Sequence, residues 1–155
     1  MGHINMKRVV LGGLAAALIV NVGEGLFGLL MKTEYESALN NLGVRLQPGF
    51  AAFLPIAWSF VIGVLSVWLY AAIRPRYGPG PKTALRTAIA VWSFTSATFS
   101  IAMACLGLFP ARLMAYGAVW SLAEVIVAML VGAWIYREPD VPAVFSPPGK
   151  RGETR

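Results

Sequence analysis

Long apolar runs and short polar interruptions alternate along this chain. Four runs, at about 9–31, 50–73, 84–108 and 113–136, each supply the roughly 20 mostly apolar residues that a helix needs to cross a bilayer. Only two acids, Glu24 and Glu124, fall inside them. Hydrocarbon offers the backbone no hydrogen-bond partner, so each run must be a helix that satisfies its own N–H and C=O groups. The expected fold is all-α: a four-helix transmembrane bundle over 1–137, then a Pro-rich tail over 138–155.

Within the runs, small and polar residues share faces. Gly13, Ala17, Asn21, Glu24 and Gly28 lie within an arc of about 80° at 100° per residue. Gly117, Ser121, Glu124, Ala128 and Gly132 do the same in the fourth run, and Ala17/Asn21/Glu24/Gly28 and Gly117/Ser121/Glu124/Ala128 share one spacing. The third run offers Ser93, Ser96, Ser100, Ala104 and Gly107, and the second Ala52, Ser59, Gly63 and Ser66. Lipid tails are as apolar as leucine, so membrane helices associate by close backbone approach and interhelical hydrogen bonds. The four stripes are expected to face inward. Pro55 is expected to kink the second helix, with nearby serines bonding the freed backbone.

The connections carry the charge. Lys7 and Arg8 precede the first run, and Arg74, Arg76, Lys82 and Arg86 flank the second connection without an acid. Arg137, Lys150, Arg151 and Arg155 lie in the tail, whereas the opposite side has only Lys32, Arg45 and Arg112. The positive-inside rule puts both termini in the cytoplasm. Arg74, Arg76, Lys82 and Arg86 then suit lipid phosphates. Trp68, Tyr70, Trp134 and Tyr136 fall where an aromatic belt belongs. In the first outer connection, Thr33-Glu34-Tyr35-Glu36 matches a capping box with Thr33 as N-cap. A short amphipathic helix is expected there, with Tyr35, Leu39 and Leu42 on one side. Tyr77-Gly78-Pro79-Gly80-Pro81 reads as an ordered turn. Pro110 and Arg112 mark a tight turn that makes the third and fourth helices antiparallel neighbours.

Composition agrees. The chain is 57% hydrophobic and 13% charged, against about 25% charged in an ordinary soluble domain. The net charge of +6 gathers at run ends and forms no basic stripe, so nucleic acid is not an expected partner. Cys105 is the only cysteine and His3 the only histidine, which leaves no disulfide, no Cys/His metal site and no bis-His haem. Walker, dinucleotide and Ser/His/Asp signatures are missing, so neither a cofactor nor enzymatic activity is expected.

Glu24 and Glu124 remain as candidate chemistry. An acid at mid-membrane costs about 2.5–3.5 kcal/mol on the insertion scale. The neutral acid both donates and accepts, and Asn21, Ser121, Ser96 and Ser100 are the expected partners. The group Glu24, Glu124, Asn21 and Ser121 reads either as a proton relay or as interhelical hydrogen bonds.

Trp68-Leu69-Tyr70-Ala71-Ala72-Ile73-Arg74-Pro75-Arg76-Tyr77-Gly78-Pro79-Gly80-Pro81-Lys82-Thr83-Ala84, with Asn21-Val22-Gly23-Glu24 and Gly132-Ala133-Trp134-Ile135-Tyr136-Arg137-Glu138, resembles small bacterial four-span membrane proteins of unassigned activity. That resemblance implies a bacterial inner membrane. A coarser one, carried by four helices and a glutamate in the first, is to small multidrug resistance transporters. The second acid in helix four, the longer outer loop and the tail depart from that family. The expectation is a non-enzymatic accessory or structural subunit of a larger membrane complex, in contact with lipids and with other subunits or itself. The alternative is a small oligomeric proton-coupled transporter or channel using Glu24 and Glu124. A third reading is binding of a lipid, quinone or pigment between helices.

Overall fold

A computed structural model describes residues 4–44 and 49–136, with the backbone alone at 50–52. His3, Arg45 and the tail beyond Tyr136 lie outside the described residues. The helices are α1 (Met6–Leu30), α2 (Lys32–Asn41), α3 (Phe50–Tyr77), α4 (Pro81–Trp92), α5 (Thr98–Cys105) and α6 (Ala111–Ile135), and a π-helical segment, Ser93–Ala97, joins α4 to α5. The expected all-α four-helix bundle is present. Its spans are α1, the 53–77 part of α3, the α4–α5 unit and α6, each a 25-residue stretch of high hydropathy. At 1.5 Å per residue each is about 37 Å long, enough for a hydrocarbon core of roughly 30 Å.

Several helix ends differ from expectation, each for a local reason. α1 starts at Met6 because the Asn5 carboxamide accepts the Arg8 N–H at 3.2 Å, an N-cap. α3 runs through Pro75 to Tyr77, since a proline in the last turn removes only one bond, and it stops at Gly78 (φ +81°). α4 starts on Pro81, at the position where a missing N–H costs nothing. Thr33 is not an N-cap. α1 and α2 meet directly at Met31, and the Tyr35 N–H bonds the Met31 carbonyl, so Thr33 lies inside the helix. Both α2 and α5 end in the same motif. Gly43 and Gly107 take positive φ, and the following Val44 and Leu108 N–H groups reach back to Leu39 and Met103.

The third span is not one continuous α-helix. The Ser93, Thr95 and Thr98 hydroxyls donate to the carbonyls of Ile89, Val91 and Ser93. Such side-chain bonds to the ladder loosen and bend a helix. Here they accompany five residues of π geometry, a form that appears mostly as short bulges, often at functional sites.

Packing is tightest at the end that carries Lys7, Arg8 and the Arg74–Arg86 group, the basic end. A Cβ on Gly12 would sit 2.7 Å from the Gly132 carbonyl oxygen, and one on Gly13 2.7 Å from the Val64 nitrogen. α1 therefore lies backbone to backbone between α6 and α3. Thr83, Ala84, Thr87 and Ala88 bury one face of α4 in the same half. Tyr70 and Tyr136 are core residues rather than belt residues. Their rings meet edge to face at 6.1 Å, and the Tyr70 hydroxyl accepts the Gly80 N–H at 3.1 Å. Trp68 and Trp134 are exposed, as a belt requires. Thr83 donates to the Gly78 carbonyl at 2.7 Å, which orders the Pro-Gly turn.

Candidate functional site: an intramembrane cleft around Glu24

Away from the basic end the bundle opens. α4 packs on both α3 and α6, whereas the π segment and α5 follow α6. Buried residues are correspondingly few in the third span, 11% of its most apolar 18-residue stretch against 28–33% in the other three. The gap between α3 and the outer part of the third span holds two adjoining cavities of about 340 and 470 Å³. Glu24, Pro55, Trp58, Thr95 and Ser96 line both. One cavity continues toward Ser66 and Ala128, and the other toward Phe99, Ser100 and Tyr35.

α1 carries Glu24 to this junction because its stripe changes surroundings along the helix. Gly13 and Ala17 are buried, while Glu24 and Gly28 are exposed, and a Cβ on Gly28 would meet nothing within 4 Å. The third-span serine stripe also departs from expectation. Ser96 and Ser100 are only half-buried and Ser93 is exposed. The small face that does pack on this span is Thr83-Ala84 and Thr87-Ala88, whose four-residue repeat is the sequence signal for it.

Glu124 behaves differently. It is 8% exposed and lies under Gly23, where an added Cβ would collide with its carboxylate. Thus Glu124 abuts the residue next to Glu24, and the two acids are brought together. The Trp120 indole N–H donates both to Glu124 Oε1 and to the Gly23 carbonyl, which ties α6 to α1. Glu124 Oε2 is buried without a hydrogen-bond partner among the described residues.

The expected hydrogen-bond partners of the acids are corrected. Asn21 donates to Ser59 Oγ at 2.5 Å and to the Ala17 carbonyl, so it links α1 to α3. Ser121 donates to the Ala118 carbonyl within its own helix. Asn21 and Ser121 thus find a closer backbone or serine group first, and Ser96 and Ser100 bond neither acid among the described residues. Ser59 also donates to the Ile56 carbonyl in its own helix, whereas the carbonyl that Pro55 deprives of its helical donor is that of residue 51, so this bond does not fill the role expected of serines near that proline. Trp120 is the residue that contacts Glu124. Its signal was the i,i+4 spacing from Trp120 to Glu124 on one helix face.

An aromatic group seals the other side of this half. Phe27 stacks on Trp120 at 5.6 Å and meets Tyr35 at 6.3 Å, and Tyr35 meets Phe109 at 5.9 Å. The loop helix α2 is therefore fixed to the end of the bundle through Tyr35. Burial pushes the Tyr35 phenol above its ordinary value, and the Glu24 charge adds to that.

At the basic end, Arg74 lies 6.0 Å from the Tyr136 ring and Arg86 4.9 Å from the Tyr77 ring. Arg76 and Lys82 are exposed. Tyr70, Arg74, Gly80 and Trp134 help line a third cavity of about 440 Å³.

Four long apolar helices define a multi-pass integral membrane protein. Comparison of the chain with protein-family models, curated proteins and solved structures finds no match, so its activity has to be argued from this geometry alone.

Proposed function

We propose that this protein is a non-enzymatic accessory subunit of a larger assembly in a bacterial inner membrane, with both termini cytoplasmic. The observation that carries the reading is the weak hold of the bundle on its third span, in which 11% of the most apolar 18-residue stretch is buried. Phe94, Thr98, Ile101 and Cys105 recur at helical spacing along its exposed side. Helices in lipid are held by contact rather than by apolarity. A neighbouring subunit's helix on this flank supplies contact that α6 alone does not. The basic residues Arg76 and Lys82 suit lipid phosphates at the cytoplasmic surface.

Cys105 is exposed at the end of this flank and gives a native handle. Thiol-directed cross-linking in membranes, followed by native purification and mass spectrometry, is expected to join Cys105 to a different membrane subunit. A chain that isolates only alone, or only as a homodimer, defeats the reading.

One observation favours a second reading, a small proton-coupled transporter: Glu24 sits where two cavities adjoin, with Glu124 behind it. Flux driven by a pH gradient in vesicles tests it. Flux that survives both Glu24→Gln and Glu124→Gln rules it out.

A further inference from the structure

We infer that the cleft between α3 and the third span is a binding site for a neutral, membrane-borne amphiphile whose polar end carries a hydroxyl-type donor. This inference does not depend on the accessory role, because the cleft and the Phe94–Cys105 flank are different surfaces. The first support is volume. Cavities of about 340 and 470 Å³ fall within the roughly 300–1,000 Å³ of small-molecule sites. A transmembrane helix, about 10 Å across and tens of ångströms long, does not fit.

The second support is the chemistry left over. The Glu24 carboxyl and the Ser96 and Ser100 hydroxyls line the cleft and have no hydrogen-bond partner among the described residues. Ser59 is engaged by Asn21 and Ile56, Ser66 by Ile62, Thr95 by Val91 and Ser121 by Ala118, whereas the Tyr35 hydroxyl and the Trp58 indole N–H on the cleft lining are also without a hydrogen-bond partner among the described residues. A polar group facing hydrocarbon without a partner is costly, so these groups, on α1 and on the third span around one cleft, call for a ligand that both donates and accepts. Trp58 and Phe99 supply apolar walls beside them.

The third support is depth. Glu24 lies six residues from the end of α1, about 9 Å at 1.5 Å per residue, and so just inside the hydrocarbon. An amphiphile can then hold its head at Glu24 and leave its chain in lipid through the open side. A neutral head avoids desolvating two opposite charges, which in a low dielectric offsets much of their attraction.

The test uses the full chain in nanodiscs of synthetic phospholipid. Three single-chain photoreactive probes of equal length, ending in a hydroxyl, a methyl ether or a primary amine, are compared by peptide mass spectrometry. The hydroxyl probe is expected to label the 93–100 segment and the neighbourhoods of Glu24 and Trp58. Its preference over the ether should be about 3- to 10-fold, the worth of one hydrogen bond. Ser96→Leu and, separately, Ser100→Leu fill the cleft from its exposed wall. Each is expected to cut hydroxyl labelling at these sites while thermal unfolding is unchanged. Equal labelling by the ether overturns the inference, as does labelling that both leucine variants leave intact. Stronger labelling by the amine also overturns it, in favour of a cation site.

Discussion

The two halves of this bundle use the same helices and hold together in different ways. At the basic end, Gly12, Gly13, Gly63 and Gly132 bring three backbones into contact, and Thr83, Ala84, Thr87 and Ala88 seat the fourth span. In the far half α1, α2 and α6 are joined through Phe27, Tyr35, Phe109 and Trp120, Asn21 ties α1 to α3, and α5 follows α6, while α3 and the π-bulged span part around Glu24. In lipid, then, closure follows where residues small enough for contact are placed, and apolar side chains alone do not draw helices together.

The largest expected difference between the halves comes from one substitution made twice on one helix. Gly13→Ala drives a Cβ into the Val64 backbone and should cost about 1–3 kcal/mol. Gly28→Ala meets open space and should gain up to about 1 kcal/mol from helix propensity. Reversible unfolding in mixed micelles measures both, and equal losses would erase the distinction.

Next comes Tyr70→Phe, which leaves the Gly80 N–H without its acceptor and should cost about 1 kcal/mol. Its counterpart in the open half, Ser100→Ala, removes an unbonded hydroxyl and should change unfolding by less than about 0.5 kcal/mol. Glu124→Gln tests the seam between the halves. The amide oxygen still accepts the Trp120 N–H, so stability should hold within about 1 kcal/mol. A larger loss would mean that the carboxyl is needed as an acid.

The smallest effect concerns pH. The folded state holds the Tyr35 proton more tightly than the unfolded chain does, so stability should decline as pH rises above the ordinary phenol value of about 10. Tyr35→Phe should remove that slope in alkaline unfolding titrations. An unchanged slope would mean that Tyr35 is not docked at the end of the bundle.

Much of this was readable in the sequence, because membrane solvent imposes a strong rule: four apolar runs had to be helices. The stripe in α6 was also readable, since Ser121, Glu124, Ala128 and Gly132 are all buried. The open half was not. Whether Glu24 and Ser96 meet a neighbour depends on how the third span bends, and that bend accompanies three hydroxyls bonding their own ladder. Serines and threonines read as interhelical glue are indistinguishable in sequence from those that turn back on their own backbone. Tyr70 and Tyr136 were misplaced for a similar reason, as periodicity marks a tyrosine near a helix end but not which tyrosine packs on another. Thr33 matched a capping pattern, yet α1 ran on to Met31 and left no free turn to cap.

Carbene footprinting from the lipid phase tests the division directly. An apolar diazirine is dissolved in a bilayer holding the isolated chain, and labelled residues are read by mass spectrometry without any substitution. Trp58 and Phe99, 63% and 57% exposed, should label strongly, while Val67, Ala84 and Thr87, each at 0%, should not. Protection of Trp58 and Phe99 equal to that of Val67 would contradict the account, because it would mean the far half is closed.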